Sequence, residues 1–302
     1  MDVVIDLAAA TLRVATPLLF AALGEVYAER AGVLNLGIEG TMFIGALTGF
    51  LVGYVSQSVW LGLLAAVTVG VLAGALMGLL TVTLGLNQHV SGLGTTLLAT
   101  GLALFVYRLA FGAPSVQPKS PAFSLLEPPA ALGPFASLFK QYGLTYVALL
   151  CVPLTWWVLY RTTFGLNLRA VGENPEAADT AGVNVFRVRY AALMIGGALM
   201  ATGGAFLSLA QLGTFTFGIV AGRGWIAIAL VIFGSWHPLK VFGGALLFGA
   251  LSALQLRLQA EGVAIPYQAL LALPYLVTIL ALAVAGRNTS YPAALLKPYR
   301  RE

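Results

Sequence analysis

The sequence predicts an all-α, polytopic membrane protein with about nine transmembrane helices, and three observations carry that prediction. The 302 residues are 59% hydrophobic and only 9% charged, against about 25% charged in soluble domains. Long apolar runs recur from Leu7 to Ala285. Charged residues collect in short intervals between those runs, and helices are the economical way to satisfy a backbone in lipid. A single domain over residues 1–302 is expected, with a polar loop at 161–189 and a proline-rich external loop at 111–142.

Taken in order, the spans fall near 7–23, 36–55, 59–84, 89–110, 143–160, 189–212, 219–235, 239–257 and 268–285. The first is short and holds Arg13, and the seventh opens on Gly222-Arg223-Gly224. Asp2 and Asp6, not a basic region, precede the first run, which therefore reads as a retained span rather than a cleaved signal. If each span crosses once, one side receives Arg30, Arg161, Arg169, Arg187, Arg189, Lys240, Arg287, Lys297, Arg300 and Arg301; the other receives Lys119, Lys140, Arg223 and Arg257. Ten against four makes the first side cytoplasmic, with the N-terminus outside and the C-terminus inside. The formal net charge of +5 thus reflects orientation and does not point to nucleic acid. Cys151 is the only cysteine, so no intrachain disulfide forms, and two isolated histidines, His89 and His237, do not make a metal site.

The first inter-span stretch, GEVYAERAGVLNLGIEG (24–40), places Glu25, Glu29, Glu39, Arg30 and Asn35 together among glycines. Glu39 is costly in lipid and should face protein or water, with Arg13 or Arg30 as candidate partners. Gly45, Gly49 and Gly53 form one small-residue row and Gly70, Gly74 and Gly78 another; such rows let helix backbones approach closely, by default within one chain. The fourth span has a polar start, Asn87, Gln88, His89, Ser91, Thr95 and Thr96, punctuated by Gly92 and Gly94. This suits either a substrate path or ordinary interhelical hydrogen bonding. The 111–142 stretch reads as an extended connector with a short helix near Ala136–Tyr142. Thr214, Phe215, Thr216, Phe217 and Trp225 either stack on a flat ligand or mark a membrane interface, the second being the commoner use. Residues 72–88 resemble 242–259 and run in the opposite direction in this topology, a hint of an inverted repeat.

The longest charged interval is Arg161–Arg189. Asn174 can cap a helix, Pro175 fits its first position, Glu176 lies in its first turn and Gly182 can end it. About two turns are not stable alone in water, so this helix needs something packed on it: either its own chain, as an ordered loop, or a groove on a partner. Catalytic signatures are missing: the sequence has no G-x-x-x-x-G-K-S/T, H-E-x-x-H, C-x-x-C or G-x-S-x-G. The chain is not expected to be an enzyme, and no cofactor is implied.

Two stretches, GEVYAERAGVLNLGIEGTMFIGA (24–46) and FGLNLRAVGENPEAADTAGVNVFRVR (164–189), resemble the membrane permeases of bacterial ABC importers for branched-chain amino acids, simple sugars and nucleosides. NQHVSG (87–92) and GRGWIAIALVIFGSWHP (222–238) agree, and the resemblance covers essentially the whole chain. Within the group it is closest to the shorter permease of nucleoside importers of the basic-membrane-protein type. HPLK (237–240) departs from the usual Asn-Pro turn, so no function is attached to His237. The resemblance implies a multi-pass protein of the bacterial inner membrane, importing a small polar solute, a nucleoside above a simple sugar or branched-chain amino acid. It implies that residues 175–181 are a coupling helix seated in a cytoplasmic ATPase. Arg169, Glu173 and Asn174 would orient it, Gly172 would allow the turn, and Pro175, Glu176, Ala178 and Gly182 would shape it. A second permease subunit and a periplasmic or lipid-anchored binding protein complete the assembly. Asn35, Glu39, Asn87, Gln88, Ser91 and Thr95 are the candidate path residues. The competing class is a secondary transporter or channel that works without ATP.

Overall fold

The computed structural model describes residues 2–112, 114, 116–129, 133, 135–261 and 291–300, with scattered positions between 268 and 283. The ninth predicted span, 268–285, therefore lies largely outside the described residues. The described chain is helical: α1 (Asp2–Arg30), α2 (Ile38–Ser56), α3 (Val59–Gly78), α4 (Gln88–Phe111), α5 (Ala136–Phe139), α6 (Gly143–Arg161), α7 (Thr163–Glu173), α8 (Pro175–Thr180), α9 (Val185–Phe206), α10 (Arg223–Phe233) and α11 (Pro238–Ala260). Wide π-type turns, Leu79–Thr83 and Leu207–Leu212, continue α3 and α9. Each is followed by a glycine at positive φ, Gly85 (+64°) and Gly213 (+64°), where the chain leaves the helix.

Among the described residues, seven helices are long and apolar enough to cross a bilayer: α1, α2, α3 with its π turn, α4, α6, α9 with its π turn, and α11. The first runs well beyond the predicted 7–23, because Pro17 is accommodated inside a continuous helix. The predicted span 219–235 is a different object. Its helix, α10, has 11 residues and is about 16 Å long, roughly half of a 30 Å hydrocarbon core. Before it, residues 213–222 are non-helical, as the glycines and the backbone-binding Thr214 allow.

The sequence that packs α9 into the middle is its small-residue face. Lipid gives no hydrophobic force between helices, so association rests on close van der Waals approach. Both glycine rows work within this chain. Gly70 and Gly74 of α3 pass so near the Gly197 and Leu193 carbonyls of α9 that a Cβ would collide, and Gly45 of α2 sits on Ala201. Gly24 of α1 meets Gly196 on the other side. α9 is consequently the most buried span, while α3 has the most exposed window.

One end of the bundle gathers the α1–α2 and α3–α4 connections, α7, α8, the turn 234–237 and the tail 291–300. The other gathers the α2–α3 turn and the described residues between 112 and 142. That 112–142 stretch is tied down: Ser120 N donates to the Gly213 carbonyl (3.0 Å), Phe123 N to Leu209 (2.8 Å) and Thr214 Oγ1 to Pro118 (2.9 Å). The short helix expected near 136–142 is α5. α3 ends at the α7–α8 end, where Thr83 Oγ1 meets the Tyr190 hydroxyl at 2.6 Å, and α11 starts there, so the two similar stretches do run in opposite directions.

Candidate functional site

The helix predicted from Asn174 to Gly182 forms as α8, Pro175–Thr180. Asn174 Oδ1 accepts from Ala177 N at 3.0 Å, and Gly182 closes the turn at φ +87°. A preceding helix was not read from the sequence: α7 occupies Thr163–Glu173, capped by Thr162 Oγ1 accepting from Gly165 N at 3.1 Å. Its apolar stripe, Leu168 and Val171 with Gly165 and Gly172, is buried, and the Thr162 cap was the missed signal.

Gly172 does not make a turn, as the resemblance implied; it lies inside α7. Its missing side chain lets α7 touch the end of α1, since a Cβ would strike the Arg30 carbonyl. Gly172 O also accepts from Ala294 N at 2.9 Å, and Glu173 Oε2 from Ala293 N at 3.4 Å, so the tail braces the α7–α8 corner. The Arg169 guanidinium sits over the Tyr160 ring, 5.0 Å from its centroid. Ala178 faces inward at 5% exposure and belongs to the core, whereas Glu176, Ala177 and Ala181 face out. Of the predicted coupling residues, then, Asn174, Glu176 and Gly182 are on the outer surface; Gly172 and Ala178 fasten the corner to the bundle.

Behind that corner is a polar node that sequence reading did not resolve. Arg30 Nε donates to the Trp236 carbonyl at 3.2 Å, and its Nη2 lies 3.4 Å from the Tyr160 hydroxyl. Trp236 Nε1 in turn donates to Glu29 Oε2. Glu25 Oε1 accepts from Asn35 N at 2.9 Å. Glu25 and Glu29, one turn apart on α1, are 0% and 1% exposed, and their carboxyl groups lie against each other. Arg189, 1% exposed, donates from Nε to the Ala31 carbonyl at 3.1 Å. Next to the node, burial together with the Lys240 and Arg30 charges holds the His237 imidazole below its ordinary pKa.

Two stretches, 31–37 and 213–222, are non-helical and approach each other at Glu39. Irregular backbone at membrane depth survives only where protein or water satisfies it, and here side chains do so. Gln88, 4% exposed, accepts at Oε1 from Leu34 N at 2.8 Å and donates from Nε2 to Gly32 at 3.4 Å. Asn35 Oδ1 accepts from Gly37 N at 2.9 Å, and Thr96 Oγ1 donates to the Leu36 carbonyl at 3.0 Å. Glu39 joins the two stretches. Its partners are backbone amides rather than Arg13 or Arg30: Oε1 accepts from Gly222 N at 2.8 Å and Oε2 from Gly224 N at 2.7 Å. The carboxylate thus sits on the N-terminus of α10, where orphan amides and the helix dipole favour negative charge. Gly224 is required there, because a Cβ would fall 2.6 Å from the Glu39 Cα. Sequence spacing cannot pair residues this far apart, and the cost of a bare charge suggested an arginine first.

The other path candidates divide. Asn87 caps α4, accepting from His89 N at 3.0 Å and Val90 N at 3.2 Å. Asn87, Ser91 and Thr95 line one wall of a cavity of about 480 Å³ between α3 and α4, whose remaining walls are leucines, Val90 and Gly94. Asn35, Glu39 and Gln88 are engaged in holding the two irregular stretches.

The family described as "Branched-chain amino acid transport system / permease component" matches residues 7–283. The chain is 42% identical to the putative glucose ABC transporter permease protein TsgC13 of Haloferax volcanii, covering 97% of each chain. It is 37% identical to the guanosine ABC transporter permease protein NupQ of Bacillus subtilis, over 96% of this chain and 95% of the relative. It is 36% identical to the nucleoside ABC transporter permease protein NupC of Lactococcus lactis, over 89% and 88%. No solved structure matches. The chain, an apolar helical bundle matched over residues 7–283, belongs to the branched-chain amino acid transport system permease component family.

Proposed function

We propose that this chain is the translocation subunit of an ATP-driven importer that carries a nucleoside inward. The observation that carries the proposal is the α7–α8 corner: a short, doubly capped helix presenting Glu176, Ala177 and Ala181 outward, on a base fixed to α1 at Gly172–Arg30. Such a corner is a rigid handle. α8 is the coupling helix, an ATP-binding-cassette subunit grips its outer face, and closure of that subunit pushes on the end of α1. Arg30, Glu29 and Trp236 pass the displacement to the 234–237 turn and so to α10. The broken stretches 31–37 and 213–222 alternate between outward and inward access. Arg169 and Glu173 hold the corner, and Asn174, Pro175 and Gly182 shape α8. The path passes Glu39 and the Ser91–Thr95 face of α4.

The α7–α8 end is cytoplasmic, since ten basic residues fall on its side against Lys119, Lys140 and Arg257 on the other once Arg223 opens the half-span α10, with the C-terminus inside and the N-terminus outside. A second permease subunit completes the path, and a periplasmic or lipid-anchored binding protein delivers the solute. The guanosine and nucleoside names of two relatives support the substrate. The 42% identity to a putative glucose permease favours a second reading, a simple sugar. Uptake of labelled guanosine and glucose by cells expressing the complete importer, with and without this chain, separates the two. Chain-dependent guanosine uptake supports the first, and chain-dependent glucose uptake alone replaces it.

A further inference from the structure

The aromatic residues around Phe217 are not used by the coupling scheme, and the fold sorts them into two kinds. Phe215, 1% exposed, is packing: it lies 5.2 Å from Phe43 and 5.4 Å from Tyr107, ring to ring. Phe217, two residues on, is 55% exposed, with its ring edge-on to Tyr107 at 5.5 Å. Together they form one wall of a cavity of about 510 Å³ at the end of the bundle opposite α7–α8. That volume lies within the roughly 300–1,000 Å³ of small-molecule sites. The polar part of the lining is contributed by Arg108 at the end of α4 and by Gln117. Both side chains are exposed, and they bring a five-donor guanidinium fork and an amide to the cavity. Phe217 belongs to the non-helical stretch 213–222 that leads down to Glu39, so the cavity opens at the head of the proposed path.

We propose that this cavity is the outer subsite of the permease for the base of a purine nucleoside. The exposed face of the Phe217 ring takes the base, with Tyr107 edge-on behind it, and base–aromatic stacking is tolerant of base identity. Arg108 supplies the discrimination: its fork matches two adjacent acceptors, as guanine presents at O6 and N7, and does not match the donor that adenine carries there. Gln117 reaches the same edge or the sugar hydroxyls. A monosaccharide uses the amide and guanidinium but leaves the aromatic wall without a planar partner.

The inference rests on the nucleoside reading above, and the test keeps the two apart. The assembled importer in proteoliposomes is photolabelled with an azido-guanosine probe, and guanosine, adenosine or ribose is added as protector. Uptake of labelled guanosine is measured on the same preparation. Label is expected on peptides containing Tyr107–Gln117 or Phe217, protected by guanosine and not by ribose. Phe217→Ala should raise the half-protecting guanosine concentration about ten-fold, and Phe217→Tyr, which keeps the ring, should restore it. Arg108→Gln should remove the preference for guanosine over adenosine while labelling by the probe persists. If the wild type imports no nucleoside, the functional reading itself fails. If it imports guanosine but labels elsewhere, or if both variants leave protection unchanged, the subsite alone is overturned. An Arg108→Gln importer that assembles poorly and keeps its preference also overturns it, since the guanidinium then serves a subunit or lipid contact.

Discussion

Replacing Glu39 by leucine removes both acceptors that hold the N-terminus of α10, the Gly222 and Gly224 amides at 2.8 and 2.7 Å. Hydrogen bonds to a charged acceptor contribute about 1.5–3 kcal/mol each, and an amide left unpaired when buried costs about 1–3 kcal/mol. Glu39 is half-buried, so water recovers part of this; about 2–4 kcal/mol for the pair is the reasonable range. α10 has 11 residues, too few to hold itself together, so the loss falls on the joint between 213–222 and α10. The direct assay is hydrogen exchange at Gly222–Trp225 in the purified assembly. If local opening governs exchange, the variant should exchange about thirty-fold to a thousand-fold faster there, with α9 unchanged. Glu39→Gln keeps one acceptor and should lose about half of the free energy, so its exchange and residual uptake fall between wild type and leucine. Equal exchange in wild type and Glu39→Leu would show that water already serves those amides, and the joint would not depend on the carboxylate.

Ala177→Trp, on the outer face of α8, should insert and fold normally yet abolish ATP-coupled uptake, whereas Ala178→Trp, on the inner face, should lower the amount of folded protein; comparable folded yields with full uptake in both would remove α8 from coupling. Gly172→Val should push α7 off the Arg30 carbonyl and lower the melting temperature of the detergent-solubilised protein, because the contact is backbone on backbone. Glu29→Gln should preserve the bond from Trp236 and most of the uptake, while Glu29→Ala leaves the indole N–H unpaired at a cost of about 1–3 kcal/mol, read as a lower thermal midpoint. A reporter placed near Gly182 or after Glu302 should read cytoplasmic and one near Pro128 external, and the reverse pattern would invert the proposed orientation.

Local signals in this chain were legible because their physics is local. The Asn174 cap, Pro175 and Gly182 specify α8 within nine consecutive positions, and long apolar runs specify the crossing helices. The glycine rows announced close packing, although which helix received them, α9, is a tertiary fact. What stayed hidden is long-range. Hydropathy sees 219–235 as one apolar run and cannot tell a full span from a half-span preceded by extended backbone. The carboxylate of Glu39 pairs with amides 183 and 185 positions away, with no residue type to advertise them. The inward packing of Ala178 was not legible, because small residues suit docking and tight internal packing alike. The buried Glu25–Glu29 pair was read as loop charge because α1 continues to Arg30, past the end of the predicted span.

The central claim is that ATP hydrolysis on the α8 side drives inward movement of a nucleoside through this chain. Guanosine uptake into proteoliposomes holding the complete importer, oriented with the ATPase inside, tests it most directly. The account predicts accumulation that requires enclosed ATP and the external binding protein, and that disappears with Ala177→Trp. Accumulation that proceeds without ATP, driven by an ion gradient and indifferent to Ala177→Trp, would contradict it.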